Sequence, residues 1–233
     1  MVRENWIRLQ ERIHAACGGC GRDPSEIRIV GVTKGVPLPL IEEGLSLGLK
    51  EVGENRIQEA KEKLPHLSSG ILRHMVGHLQ TNKVKEAVGL FDLIHSVDSE
   101  RVASALNEAA GKMGKAQSVL IEVNISGEPS KFGVSSGSVE EILNRLEALK
   151  HLRVEGLMAL APQSKDPEIP RRVFRSLRRL MEGLNAQGFK NLRHLSMGMS
   201  QDYPIAIEEG ATLLRIGRAI FGSEVPISLG ETS

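Results

Sequence analysis

The sequence predicts an α/β protein built as one (β/α)8 TIM-type barrel with an extra N-terminal helix. Eight short apolar runs recur along the chain, segments with helical apolar spacing lie between them, and no stretch rich in Pro, Gly and Ser divides the 233 residues. Strands that alternate with helices pair in parallel, because parallel neighbours need a crossover and not a tight turn. Eight such units favour closure. An open dinucleotide-binding sheet would carry a G-x-G-x-x-G loop after its first strand, and none is present. The expected organisation is one domain over 1–233, with the N-terminal helix in about 1–22 and the barrel in about 27–222.

Trp6, Leu9, Ile13 and Cys17 recur at helical spacing and predict a helix near residues 4–17, ended by Gly18-Gly19 and Gly21. The strand candidates follow at Ile27 to Thr33, Glu51 to Glu54, His74 to Leu79, Leu93 to Val97, Ser118 to Ile125, Val154 to Ala161, Leu192 to Met197 and Leu213 to Gly217. Helical patterning fills 38–47, 55–64, 82–89, 99–113, 138–149, 169–187 and 203–209. Ser138-Val-Glu-Glu141 reads as a capping box for one of these. Pro162 to Pro170 reads as a surface loop before the sixth helix.

Composition narrows the function classes. At 40% hydrophobic and 25% charged residues the chain can bury a sizeable core, and its net charge of +1 gives no field for drawing in nucleic acid or an anionic membrane. The first residues lack the apolar core of a signal peptide and no run is long enough to span a bilayer, so the expected location is the cytoplasm. Cys17 and Cys20 form a lone C-x-x-C without a second ligand pair, which reads as small packing residues and not as a metal site. Arg171, Arg172, Arg175, Arg178 and Arg179 fall mostly on the outer face of the sixth helix. With no aromatics between them they read as a solvated face and not a nucleic-acid surface.

In such a barrel the chemistry belongs to the C-terminal strand ends. Lys34 follows Ile29-Val-Gly-Val-Thr33 and so stands at the mouth. A partly desolvated amine there would have a lowered pKa and could attack an aldehyde; the pattern alone favours a strand-end lysine turned to solvent, so Lys34 needs supporting residues. The last two strands end in Ser196-Met-Gly-Met-Ser200 and Arg215-Ile-Gly-Arg218, where barrels often hold phosphate on backbone N–H groups. Ser200 also reads as a helix N-cap and Gly217 as a turn glycine. His78 and His95 read as hydrogen-bonded histidines or as general bases.

Seven motifs then carry a resemblance: Ile29-Val-Gly-Val-Thr-Lys34, Gly53-Glu-Asn-Arg-Ile-Gln58, Gly77-His-Leu-Gln-Thr-Asn-Lys83, Asn124-Ile-Ser126, Gly156-Leu-Met-Ala159, Leu195-Ser-Met-Gly-Met-Ser200 and Arg215-Ile-Gly-Arg-Ala-Ile-Phe-Gly222. In this order they closely resemble the pyridoxal phosphate homeostasis proteins, whose fold is similar to the N-terminal barrel of bacterial alanine racemase. The resemblance covers nearly the whole chain. It implies pyridoxal 5'-phosphate, a vitamin B6 cofactor, held as a Schiff base on Lys34. It also implies a phosphate site at Ser196 and the Gly217-Arg218 backbone with Ser200 as a further contact, and Arg215 facing the pyridine nitrogen. Asn55 and Met158 match motif residues that line the family's pocket, and Lys131 matches a segment that approaches the cofactor hydroxyl. The implied role is intracellular cofactor homeostasis by a monomer whose partners are the cofactor and the apo-enzymes that require it. An arginine at the pyridine nitrogen makes the ring a poorer electron sink than a carboxylate would. The alternative, an amino acid racemase, needs a second base, and Tyr203, the only tyrosine, reads as a packing residue. A Schiff-base aldolase without cofactor is a further rival.

Overall fold

A computed structural model describes residues 1–128 and 132–222. The chain opens with α1 (Val2–Cys20) and then alternates β1 (Arg28–Val32), α2 (Leu38–Ser46), β2 (Glu51–Glu54), α3 (Ile57–Lys63), β3 (Leu72–Met75), α4 (Val84–Leu90), β4 (Leu93–Val97), α5 (Glu100–Lys112) and β5 (Gln117–Asn124). A two-residue strand, β6 (Val134–Ser135), precedes α6 (Val139–Leu146), β7 (Leu152–Met158), α7 (Glu168–Gln187), β8 (His194–Ser196), α8 (Tyr203–Glu208), β9 (Leu213–Ile216) and α9 (Arg218–Phe221). All pairings are parallel. The order β4-β3-β2-β1-β9-β8-β7-β5 is closed by a β4–β5 pairing, which makes an eight-stranded barrel, and β6 adds outside it on the edge of β5.

Alternation along each strand sorts residues into two cores. Side chains facing outward meet the helices in the larger core, where Val52, Met75, Ile94, Val119, Leu157 and Leu214 are buried with Ile41, Leu106, Phe174 and Ile220. The barrel interior holds a small apolar layer of Val30, Leu93, Leu120, Met158 and Leu213. Polar residues lie above and below it: Arg28, Glu51 and His194 toward the strand starts, Glu122 and Arg215 toward the strand ends. Layered filling of this kind is what a barrel of eight strands has room for.

Several local expectations are corrected. The first helix runs through Gly18-Gly19 to Cys20 and ends only at Gly21, whose φ of 71° supplies the left-handed cap. Arg12 on this helix lies over the Tyr203 ring, 5.5 Å from its centroid, which fastens α1 to α8. Ser138 caps nothing: it closes a 3-10 turn, its hydroxyl 2.8 Å from that of Ser135, and Glu141 pairs with Arg145 instead. Pro170 sits inside the first turn of α7, where a missing N–H is harmless. Arg171, Arg175 and Arg178 are not free solvated cations, since all three converge on the buried Glu209. Cys17 is buried and Cys20 exposed, both as free thiols. No helix among the described residues is long and apolar enough to cross a membrane.

Candidate functional site

The C-terminal strand ends surround a cavity of about 960 Å³. Lys34 enters from the loop after β1, Asn55 from the end of β2, and Ser200 from the loop after β8; Arg215 comes from β9, with Gly217 and Arg218 at the turn into α9. These six expected site residues, scattered over 185 positions from 34 to 218, therefore share one wall-to-wall space. Lys131 lies outside the described residues.

Lys34 sits on a tight turn closed by Val36 N donating to Thr33 O at 2.9 Å, with Gly35 at φ 69°. A positive φ at the third position of such a turn favours glycine, which explains the Lys-Gly pair. The turn is clamped from beneath. Glu59 Oε2 accepts from Gly35 N at 2.8 Å, and Lys63 Nζ donates to Thr33 O at 2.8 Å while pairing with Glu54 and Glu59. Burial raises the Glu54 carboxyl, and bonds from Thr33 and Lys63 offset this only in part. The Lys34 side chain is exposed, because the turn lifts it past the end of β1 into the open mouth.

On the far wall, Ser200 Oγ accepts from Ala219 N at 3.2 Å and so ties the β8 loop to the first turn of α9. It is not the N-cap of α8, a position held by Asp202. The bond brings Ser200, Gly217 and Arg218 to one rim. Arg218 N lies ahead of the turn's first internal bond, Ile220 N to Gly217 O, so it has no partner within the helix.

Between these ends lies Arg215, buried, with Nη1 donating to Ser196 Oγ at 2.5 Å and Nη2 to Ala159 O at 2.9 Å. Burial lowers its pKa to about 10, with Glu122 and Asp202 opposing the shift, so it stays a cation at neutral pH. Two expected site residues fall below the cavity. Ser196 does not line it, because its hydroxyl is held between Arg215 and His95 Nδ1, 2.9 Å away. Met158 belongs to the apolar layer of the barrel interior. Both face inward as their strand parity requires, but one layer too deep.

Glu122 was missed, although Ser118, Leu120 and Glu122 share the inward face of β5 and the pattern places a carboxyl there. Burial raises its pKa to about 7; Arg215 pulls it down and Asp98 pushes it up. The acid is thus held protonated more tightly in the folded chain than in the unfolded one. Its contribution to stability is present below the ordinary value of 4.5 and is lost as pH rises through about 7. Denaturant unfolding at pH 4.5 and pH 8 should show the wild type losing about 3 kcal/mol more than Glu122→Gln over that interval. Equal losses would contradict the shift.

His78 also lines the cavity, its Nδ1 3.3 Å from Asp98 Oδ2 and its ring stacked on Phe132 at 3.7 Å and 14°. His95 is a buried hydrogen-bonded histidine outside the cavity. Tyr203 is buried beneath Arg12 and does not reach the cavity either.

The family model described as alanine racemase, N-terminal domain, matches residues 26–225. A pyridoxal phosphate homeostasis protein of Aquifex aeolicus (strain VF5) is 43% identical over 220 residues, 94% of this chain and 96% of that protein. Its namesake in Escherichia coli (strain K12) is 34% identical, over 95% of this chain and 96% of that protein. PipY of Synechococcus elongatus PCC7942, solved with PLP bound, superposes with a TM-score of 0.84 at 32% identity, over 95% of this chain and 100% of PipY. An alanine racemase of Clostridium difficile 630, at 16% identity, shares the fold alone: its TM-score is 0.74, and the match takes in 94% of this chain and 56% of the racemase. By its matched length, its motifs and these relatives, the chain belongs to the pyridoxal phosphate homeostasis protein family.

Proposed function

We propose that this chain binds pyridoxal 5'-phosphate in the cavity as a Schiff base on Lys34 and keeps the cytoplasmic supply of the cofactor in balance, holding it and releasing it to enzymes that need it. The observation that carries this reading is the meeting of a lysine amine, a buried arginine and a serine–glycine–arginine rim in one cavity. The donor set fits the group. Arg218, the Ser200 hydroxyl and the backbone at Gly217 suit a phosphate, and the fixed Arg215 cation suits an aromatic nitrogen acceptor. Asn55 Oδ1 is buried on the cavity wall without a partner in the protein, as expected of a group that meets a bound molecule. A Cβ on Gly217 would come within 3.3 Å of Val32 O, so glycine keeps that rim close to the strand.

The bound cofactor supplies an aldehyde that condenses reversibly with amines. Lys34 contributes its amine from an exposed turn, which leaves the linkage open to exchange with other amines. Arg215, charged at neutral pH, would donate to the ring nitrogen and keep it unprotonated, which would weaken the electron sink that racemisation or transamination uses. Among the described residues no tyrosine lines the cavity as the second base of a racemase. Storage and transfer are thus favoured over turnover. Borohydride reduction of the protein incubated with the cofactor, followed by peptide mapping, is expected to give one adduct, on Lys34. An adduct on another lysine, or none, would refute the assignment.

A further inference from the structure

A line of buried polar side chains runs through the barrel from its N-terminal end to the cavity floor. Arg28 Nε donates to Glu51 Oε1 at 2.6 Å, and Glu51 Oε2 lies 3.1 Å from His74 Nε2. His74 Nδ1 is 2.9 Å from His95 Nε2, and His95 Nδ1 is 2.9 Å from Ser196 Oγ, which accepts from Arg215 Nη1 at 2.5 Å. Glu51, His74, His95 and Ser196 are all buried. The cofactor reading uses only the last member of this line, and the alternation of four polar groups with an apolar layer around them is costly unless each is bonded.

The donors set its direction. An arginine only donates, so Ser196 Oγ accepts from Arg215, which leaves its own proton to be given to His95 Nδ1 in this arrangement. His95 then carries its proton on Nε2 and gives it to His74 Nδ1. His74 in turn carries its proton on Nε2, toward Glu51. The 3.1 Å contact there closes by distance more than by alignment, yet among the described residues neither Glu51 Oε2 nor His74 Nε2 has another partner. Burial raises the Glu51 carboxyl, but bonds from His74 and Arg28 outweigh it and hold the group below its ordinary value, as a carboxylate. Burial above all, with the nearby Arg215 cation adding to it, pushes His95 well below the ordinary histidine range, in keeping with a neutral ring. A proton added at His74 Nδ1 would face the N–H of His95 Nε2, and one added at His95 Nδ1 would face the Ser196 hydroxyl proton.

We propose that Glu51, His74, His95 and Ser196 are positioning residues: a one-way hydrogen-bond relay that locks both imidazoles as neutral Nε2–H tautomers and holds the Arg215 guanidinium in a single orientation toward the cofactor ring. The proposal rests on the cofactor reading given above. With Nη1 fixed on Ser196 and Nη2 on Ala159 O, the guanidinium plane is set at two points, and its remaining N–H groups are those available to the cavity.

The test is made on the full chain near neutral pH, first without cofactor. Side-chain nitrogen NMR is expected to show His74 and His95 as neutral Nε2–H rings. In Ser196→Ala the His95 ring loses its donor at Nδ1 and its nitrogen signals shift, and cofactor affinity by absorbance titration falls roughly tenfold. Borohydride trapping at saturating cofactor still labels Lys34, because the aldehyde end is untouched. An Nδ1–H tautomer or a charged ring at either histidine in the wild type overturns the relay, as does a Ser196→Ala protein with unchanged signals and affinity. Should Ser196→Ala not fold, the wild-type tautomers decide, with Glu51→Gln expected to shift the His74 signals. Failure of wild-type trapping on Lys34 sinks the cofactor reading and leaves the tautomers to judge the relay alone.

Discussion

With alanine at position 34, protein incubated with pyridoxal 5'-phosphate is expected to show neither the absorption of a protein-bound Schiff base nor a borohydride-stable adduct, while its unfolding free energy stays within about 0.5 kcal/mol of wild type. Both halves follow from where the side chain stands. Lys34 is exposed, and the turn beneath it is held by the Thr33 and Gly35 backbone through Glu59 and Lys63, none of which the substitution touches. Nor can the neighbouring amine take over. Lys63 Nζ is spent on Thr33 O, Glu54 and Glu59 and points under the turn, away from the mouth. Difference spectra and peptide mapping read the first half, and denaturant unfolding the second. An adduct that survives Lys34→Ala would move the attachment site elsewhere.

Gly156→Ala should cost at least about 4 kcal/mol, or abolish folding, although the added group is one methyl. Gly156 lies where β7 pairs with both neighbours, opposite Leu120 of β5 and His194 of β8. A Cβ built there would stand 2.0 Å from His194 O and under 3 Å from two more of its backbone atoms. Backbone in a parallel ladder cannot swing aside as a side-chain tip can, so the β7–β8 pairing must open. That opening would draw Ala159 O, just past the end of β7, away from Arg215 Nη2 and disturb the cavity floor. Gly137→Ala, at a site with nothing within 4 Å, provides the contrast and should stay within about 0.5 kcal/mol. Circular dichroism with denaturant titration of both variants would check the pair; equal stabilities would mean that β7 and β8 can slip apart without loss.

Much of the fold was legible because it rests on periodicity. Each of the eight expected strands overlaps an observed one, with ends differing by a few residues where the ladder stops before the apolar run does, as at His74 to Leu79 against Leu72–Met75. The addition of β6 was not legible, since two residues carry no period. Errors at Ser138 and Gly18-Gly19 share a cause. A local motif offers one way to satisfy backbone groups, and the neighbours present, Ser135 in one case and the left-handed Gly21 cap in the other, offered a better one.

The sequence by itself determined that Lys34, Asn55, Ser200, Arg215, Gly217 and Arg218 would share one rim, because the ends of parallel strands in a closed barrel have nowhere else to gather. What only the tertiary structure decided is depth and partnership across the barrel. Strand alternation gives a residue's face but not its layer, which depends on the stagger of eight strands at closure. Hence Ser196 and Met158 point inward as expected yet fall beneath the cavity, and Glu122 rises into it. Partnerships such as His95 with Ser196, 101 residues apart, exist only once the ring has closed and brought β4 opposite β8.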